Sequence, residues 1–335
     1  GTGHIVYPLL PVIYETAHQS GIRPERPMAV ATIASQQAIT ASPVAAATAA
    51  MIGLFADKGI AHWGLAQVLM ICVPATLTGV VAAAIVSMFV GKDLKDDPEY
   101  QARLAAGQIP APQADTERAP LQPGAKLSAF IFLTGVALVV LFGFFPSLRQ
   151  LPGAKSPLAM PLVIEILMMS VAAIMLLLTK VPVDEVPKTA TLRAGVVAVI
   201  GIFGLAWLGD SFIAANKDVI VPAIGDWAKV APWTFAFGLF LASVLLYSQA
   251  ATTRALMPLG IALGIPPQFL IAMFPSVNGY FFIPTYGSLI AAINFDLSGT
   301  TKIGKYVLNH SFMIPGLVAT SVAVFTGLLI AQAIF

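Results

Sequence analysis

Residues 274–288 read F-P-S-V-N-G-Y-F-F-I-P-T-Y-G-S, and residues 35–43 read S-Q-Q-A-I-T-A-S-P. Each stretch interrupts an apolar run long enough to cross a bilayer, Phe269–Phe295 in one case and Met28–Phe55 in the other. Proline lacks an N–H and pushes the residue before it out of the helical region, so Pro284 and Pro43 predict helix breaks. Interrupted backbone at membrane depth is tolerated only where protein buries it or a watery cavity receives it. A pair of such segments in corresponding halves of a chain points to the substrate site of a secondary transporter.

The rest of the composition agrees. The chain has 335 residues, of which 58% are hydrophobic and only 10% charged. Soluble domains carry about a quarter charged residues, so this one is built for lipid. A net charge of +2 is too small, and too evenly spread, for a nucleic-acid partner. The lone Cys72 excludes an internal disulfide, and with four histidines a structural zinc site is not expected. No cofactor is expected either. H-E-x-x-H, G-x-x-x-x-G-K-[ST] and G-x-S-x-G are all missing, so the chain reads as no enzyme and no user of ATP.

Runs of about 20 apolar residues cross the hydrocarbon core. Those expected here are Leu65–Val90, Leu127–Phe145, Pro157–Thr179, Ala194–Ile213 and Val307–Phe335. Tyr7–Tyr14 and Ala255–Leu263 are too short to cross alone and read as returning arms of re-entrant hairpins, with Thr234–Leu246 the outgoing arm of the second. The outgoing arm of the first is expected before Gly1, in an N-terminal part that this sequence lacks. The fold expected is an all-α polytopic membrane protein, an inverted-repeat secondary transporter with re-entrant hairpins and broken helices.

Lys92, Lys95, Arg103, Arg118 and Lys126 place the polar segment 91–126 in the cytoplasm. Its composition predicts a loop without a packed core, joining a first repeat (1–90) to a second (127–335). Counting spans from that loop opens the first hairpin to the cytoplasm and the second to the exterior, the mark of an inverted repeat. Gly21-Ile22 aligns with Gly264-Ile265, Pro24 with Pro267, and Ser42 with Thr285.

Hairpin tips and helix breaks expose backbone N–H groups and the positive end of the helix dipole, which receive a carboxylate without a buried cation. The candidate substrate residues are therefore Thr2, Gly3 and His4 at the first tip and Ser248, Gln249 and Thr252 at the second. Ser42 and Pro43 mark the first break, alongside Ser35, Gln36 and Thr40. Asn278, Gly279, Pro284 and Thr285 mark the second, alongside Ser276 and Ser288. Intramembrane charges are scarce and so informative. Arg254, just past the second tip, either meets a substrate carboxylate or snorkels. Glu15 either moves protons and orients a cation or pairs with Arg23 or Arg26.

G-T-G-H-I-V-Y at 1–7, G-I-R-P-E-R-P-M-A at 21–29 and I-T-A-S-P-V-A at 39–45 resemble the anaerobic C4-dicarboxylate transporter (Dcu) family. Further likeness lies at Gly91-Lys92-Asp93-Leu94, Ser248-Gln249-Ala250-Ala251, Ile283-Pro284-Thr285-Tyr286 and Asn309-His310-Ser311-Phe312. The resemblance implies an inner-membrane carrier for fumarate, succinate, malate and aspartate, exchanging fumarate for succinate in anaerobic respiration. It also implies that Arg26 matters for transport, at the cytoplasmic mouth. The chain departs from the family pattern at Val244, at Ser288-Leu289 and at Arg254. Expected partners are the C4-dicarboxylate, the bilayer, a co-transported H⁺ or Na⁺ and a second copy of the chain. Two alternatives stay open, a membrane co-regulator of a dicarboxylate sensor and a carrier of another anion on the same architecture.

Overall fold

The computed structural model describes residues 3–7, 9–60, 62–109, 123–153, 157–158, 160–179, 181–188, 233–246 and 248–335, with positions 192, 211, 215 and 231. Among these residues the regular structure is helical, apart from one isolated antiparallel bridge between Ile303 and His310. The helices are α1 (Leu10–Gln19), α2 (Glu25–Thr40), α3 (Ala46–Asp57), α4 (Leu65–Ser87), α5 (Pro98–Ala105) and α6 (Ala125–Phe144). They continue with α7 (Met160–Thr179), α8 (Thr234–Leu246), α9 (Gln249–Ala262), α10 (Pro267–Met273), α11 (Gly287–Phe295) and α12 (Met313–Ile334). Among the described residues, α4, α6, α7 and α12 are long and apolar enough to span a membrane. The molecule is an all-α, multi-pass membrane protein.

Both expected breaks are present. α2 stops at Thr40, and α3 restarts at Ala46 after an extended Ala45 (φ −79°, ψ 142°). Pro43 has no N–H to continue the ladder, and the Thr48 hydroxyl reaches back 3.3 Å to the Ile39 carbonyl that the break frees. In the second unit α10 passes into a 3₁₀ segment, Phe274–Phe281, where Asn278 leaves helical geometry (φ −97°, ψ 30°). After Pro284 the chain resumes as α11 behind an extended Tyr286 (φ −71°, ψ 140°).

The element before each broken helix ends in the same way. Gly21 (φ +70°) and Gly264 (φ +75°) take the left-handed conformation that glycine adopts without strain. Ile22 N–H then reaches Ala17 O at 2.9 Å, and Ile265 N–H reaches Gly260 O at 3.1 Å. These are paired Schellman caps, each followed by a helix start carrying Pro24 or Pro267. Short helix, glycine cap, broken helix is therefore the order in both units.

α4 and α12 form the spine. Ile71, Ala75, Gly79, Ala83 and Ser87 on α4 are buried at four-residue spacing, as are Ala319, Ala323, Gly327 and Ala331 on α12. Small residues at this period let two backbones approach closely, which is how membrane helices pack when apolar burial gives no preference over lipid. A Cβ on Gly79 would collide with the Ala319 carbonyl, and one on Gly327 with the Ala272 carbonyl at the end of α10. α6 and α7 pack on each other at the periphery, where Gly135 lies against Val171.

Several boundaries differ from expectation. The last span begins at Met313, not Val307, because residues 302–311 fold back on themselves: Lys302 N–H donates to Ser311 Oγ at 2.9 Å and Ser311 N–H to Lys302 O at 3.1 Å. The first returning arm runs Leu10–Gln19 rather than Tyr7–Tyr14, because residues 3–6 take up a 3₁₀ turn and Pro11 fits the first turn of α1. Within 91–126, residues 94–96 and α5 are helical and Leu94, Tyr100 and Ile109 bury a small core of their own. The aspartate-rich composition hid that cluster. The expected span Ala194–Ile213 lies outside the described residues, apart from one position.

Gly79→Ala is expected to cost about 1–3 kcal/mol by overpacking the spine, read as a lowered melting midpoint of the detergent-solubilised protein. Gly238→Ala, where an added methyl meets nothing, is expected to leave the midpoint unchanged.

Candidate functional site

Four carboxamides meet where the two interrupted units touch. Gln36 and Gln37 project from α2, Gln249 from the first turn of α9, and Asn278 from the kink of the 3₁₀ segment. Their exposures are 0%, 1%, 7% and 0%. Gln249 Nε2 donates to Gln36 Oε1 at 3.0 Å and to Asn278 Oδ1 at 3.2 Å. Asn278 Nδ2 donates to Gln37 Oε1 and to the Pro275 carbonyl, both at 3.1 Å. Gln37 Nε2 continues to Thr320 Oγ1 on α12 at 2.7 Å, and Gln36 Nε2 lies 3.4 Å from Ser288 Oγ in the first turn of α11. Buried polar groups must be paired, and here they pair with one another.

The local sequence explains each placement. Ser248 is the N-cap of α9, its hydroxyl accepting from Ala251 N–H at 3.2 Å, and this sets Gln249 at the tip. Gly279 lets the 3₁₀ segment lie on α8: its N–H donates to Ser243 Oγ at 2.8 Å, and a Cβ there would strike the Phe240 carbonyl. Gly3 packs so tightly on the Gln36 carboxamide that any side chain would displace it. Both tips therefore reach the same amide on α2, that of Gln36.

Of the expected substrate residues, Gly3, Gln249 and Asn278 come together in this cluster. Ser248 and Thr252 flank it on α9, and the Thr252 hydroxyl donates to Ser248 O at 2.8 Å. Gly279 adjoins it, with its N–H committed to Ser243. Ser42 and Pro43 are half-buried at the first break; Pro284 is buried and Thr285 exposed at the second. Thr2 and the side chain of His4 lie outside the described residues. Arg254 is exposed on α9, whereas Gln249, Thr252 and Thr253 are buried on the same helix. Glu15 is half-buried and accepts from Gln19 Nε2 at 3.4 Å, while Arg23 and Arg26 pair elsewhere. Gln37 and Thr320 were not anticipated from sequence. Two adjacent carboxamides in an apolar run were the available signal for the first, and one hydroxyl beside Ser321 and Thr326 on α12 gives none.

The R-P-E-R-P motif builds a second polar cluster. Arg23 (7% exposed) donates to Glu25 Oε2 at 2.6 Å and to Asp97 Oδ2 at 2.5 Å. Glu25 (8% exposed) also accepts from Ser311 Oγ at 2.6 Å, and its own N–H donates to Thr300 Oγ1 at 3.1 Å. Thr300 is held by Asp296, whose carboxylate also accepts from the N–H groups of Ser298 and Thr301. This cluster ties α2 to the segment carrying α5 and to the loop before α12. Arg26 spends its guanidinium on the turn after α4: Nε donates to Val90 O at 2.9 Å, Nη2 to Gly91 O at 3.0 Å, and Nη1 pairs with Asp93 at 2.8 Å. A cation at a helix C-terminus is well placed for orphan carbonyls and the helix dipole. Arg26, Met88, Gly91, Lys92, Asp93 and Asp96 wall an open depression of about 610 Å³. Among the described residues no His/Cys/Asp/Glu group could hold a metal ion.

The family described as anaerobic C4-dicarboxylate membrane transporter matches residues 1–335. The chain is 40% identical over 333 residues to C4-dicarboxylate transporter DcuA of Escherichia coli strain K12, covering 99% of this chain and 76% of that protein. It is 39% identical over 332 residues to DcuA of Wolinella succinogenes and 38% identical over 337 residues to anaerobic C4-dicarboxylate transporter DcuB of Escherichia coli O157:H7, covering 99% of this chain and 75% of each relative. No solved structure matches.

The Arg23 cluster has a pH signature. Burial works to raise the Asp97 carboxyl, but hydrogen bonds from Arg23 and from the Tyr100 and Glu99 N–H groups outweigh it and hold it below its ordinary value of 3.8. A depressed folded pKa gives stability that is complete above the unfolded value and lost as pH falls through the folded one. The gap in melting midpoint between the natural chain and Asp97→Asn is therefore expected to be constant near neutrality and to close only as pH drops below about 4.

Proposed function

Because the chain belongs to the anaerobic C4-dicarboxylate membrane transporter family, we propose that it is an antiporter or uptake carrier for fumarate, succinate, malate and aspartate in the cell inner membrane, working by alternating access. The observation that carries this reading is the meeting of both broken units on one buried, uncharged, donor-bearing cluster. A dianion leaving water needs fixed N–H and O–H donors, and carboxamides with helix N-termini supply them at a smaller desolvation cost than buried ammonium or guanidinium groups.

In this reading one carboxylate lies toward the first break, near Ser42 and Pro43, with Thr2, Gly3 and His4 at the adjoining tip. The other lies toward Pro284 and Thr285, with Ser248, Gln249, Thr252, Asn278 and Gly279 beside it. The matching order of elements in the two units supports a repeat built of residues 1–90 and 127–335, with opposite orientations and residues 91–126 on the cytoplasmic side. The depression beside Arg26 is the cytoplasmic approach, where the guanidinium holds the turn after α4 and adds positive potential for an arriving dianion. Arg254 adds the same sign of charge near the second tip. Glu15 lies on the first arm, where a carboxylate can take up a co-transported H⁺ or attract Na⁺. Two copies assemble as a dimer.

The test is exchange in proteoliposomes loaded with labelled succinate and challenged with external fumarate. Ser42→Ala and Thr285→Ala are each expected to slow exchange about tenfold, the size of one hydrogen bond to a charged group, with folded protein recovered in full. Undiminished exchange in both variants would remove this site assignment. Arg26→Ala is expected to raise the apparent KM for external fumarate several-fold; an unchanged dose curve would reduce its guanidinium to a support for the turn.

A further inference from the structure

Counting only side chain to side chain bonds, four of the five links of the carboxamide cluster cross between the two halves of the chain. Gln249 and Asn278 of the second half donate to Gln36 and Gln37 of the first. Gln37 and Gln36 donate back to Thr320 and Ser288 of the second. The bond between Gln249 and Asn278 joins the α9 tip to the kink within the second half. Gln249 commits both its Nε2 hydrogens and Asn278 both its Nδ2 hydrogens. Moving α9 or the 3₁₀ segment relative to α2 would therefore leave buried amides unpaired on both sides, where water does not compensate them.

We propose that this lattice is a lock on the empty protein, and that Gln36 is the positioning residue that closes it by accepting from Gln249. The lock is opened by the substrate's own carboxylates, so this inference rests on the dicarboxylate-carrier reading above. A carboxylate brings two acceptor oxygens with about four lone-pair sites, and its bonds to N–H donors are charge-assisted. It can therefore take the Gln249 hydrogens from Gln36 and Asn278, replacing neutral amide acceptors with stronger ones. The Asn278 donors can pass to the same carboxylate, and the second carboxylate of a C4 dianion can do the same for the Gln37 donor. Occupied, the two halves no longer depend on each other's amides and can shift. Empty, they are tied. The consequence is coupling: reorientation without cargo is disfavoured, so release on one side is followed by capture of another dianion before return. Monocarboxylates, with one acceptor group, free only part of the lattice.

The experiment compares efflux of labelled succinate from proteoliposomes into buffer containing fumarate with efflux into buffer containing none. In the natural chain, efflux without fumarate is expected to be a small fraction of exchange. Gln36→Met removes the acceptor and is expected to raise that fraction at least fivefold. Gln36→Glu keeps a carbonyl acceptor for Gln249 whether ionised or protonated, and is expected to slow exchange without raising the fraction. A fraction unchanged in Gln36→Met, or raised equally by both substitutions, would overturn the lock. Hydrogen–deuterium exchange at the start of α9, in detergent without any dicarboxylate, reads the same lock without transport. It is expected to speed up in Gln36→Met and not in Gln36→Glu, and equal protection in all three proteins would likewise overturn it. Absence of succinate flux in the natural chain would instead fail the carrier reading, and the α9 exchange rates would still decide whether Gln36 ties the two halves.

Discussion

Everything in this molecule answers to one constraint: a backbone that leaves its hydrogen-bond ladder inside lipid must find partners within the protein. Among the described residues the membrane-length apolar runs break that ladder after Thr40 and around Asn278 to Tyr286. Each break releases carbonyls and N–H groups that cannot face hydrocarbon. The protein meets the demand at each break from nearby side chains, Thr48 Oγ1 on the Ile39 carbonyl and Ser243 Oγ on the Gly279 N–H, while amide side chains of α2, of α9 and of the second break bond across the two units. The spine of α4 and α12, packed through small residues, holds the halves close enough for side chains as short as asparagine and glutamine to span the gap.

The two polar clusters divide the work. The ions sit at the end of the molecule formed by the Arg23–Pro27 motif, where Arg23, Glu25, Asp97 and Asp296 link three separate segments. Among the described residues the membrane-depth cluster carries no ion at all. This separation has a physical rationale. Buried ion pairs are costly to assemble and costly to part, so they suit a junction that stays closed. Carboxamide bonds are individually weaker, and an amide can exchange one acceptor for another at a smaller cost. The family's arginine-rich motif is thus built first as architecture. Arg26 is a brace for the end of α4.

How much of this was readable depended on the range of the interaction. Pro43, Pro284, the glycines at 21 and 264 and the apolar runs each act within a few residues, through a missing N–H, a missing Cβ or desolvation. The break positions and the spans α4, α6, α7 and α12 were accordingly anticipated, within the few residues by which the ends of α1, α9 and α12 moved, whereas the glycine caps were visible only as an alignment of Gly21-Ile22 with Gly264-Ile265. The segment 91–109 was misjudged because its three buried side chains, Leu94, Tyr100 and Ile109, are diluted by charges that point outward. The small-residue period along α12 was also present in the letters, but alanine and glycine are so common in apolar helices that their register means little until a partner helix is in view.

The sequence by itself determined the class of protein, the places where its helices must fail, and the polar character of what lies there, because those follow from local chemistry. Only the tertiary structure decided which polar groups meet. Gln36 and Gln249 are 213 positions apart, and Asn278 and Gln37 are 241. No periodicity links them. Their pairing exists because the helices carrying them are packed by other residues, and a side chain cannot announce a partner that distant packing chooses for it.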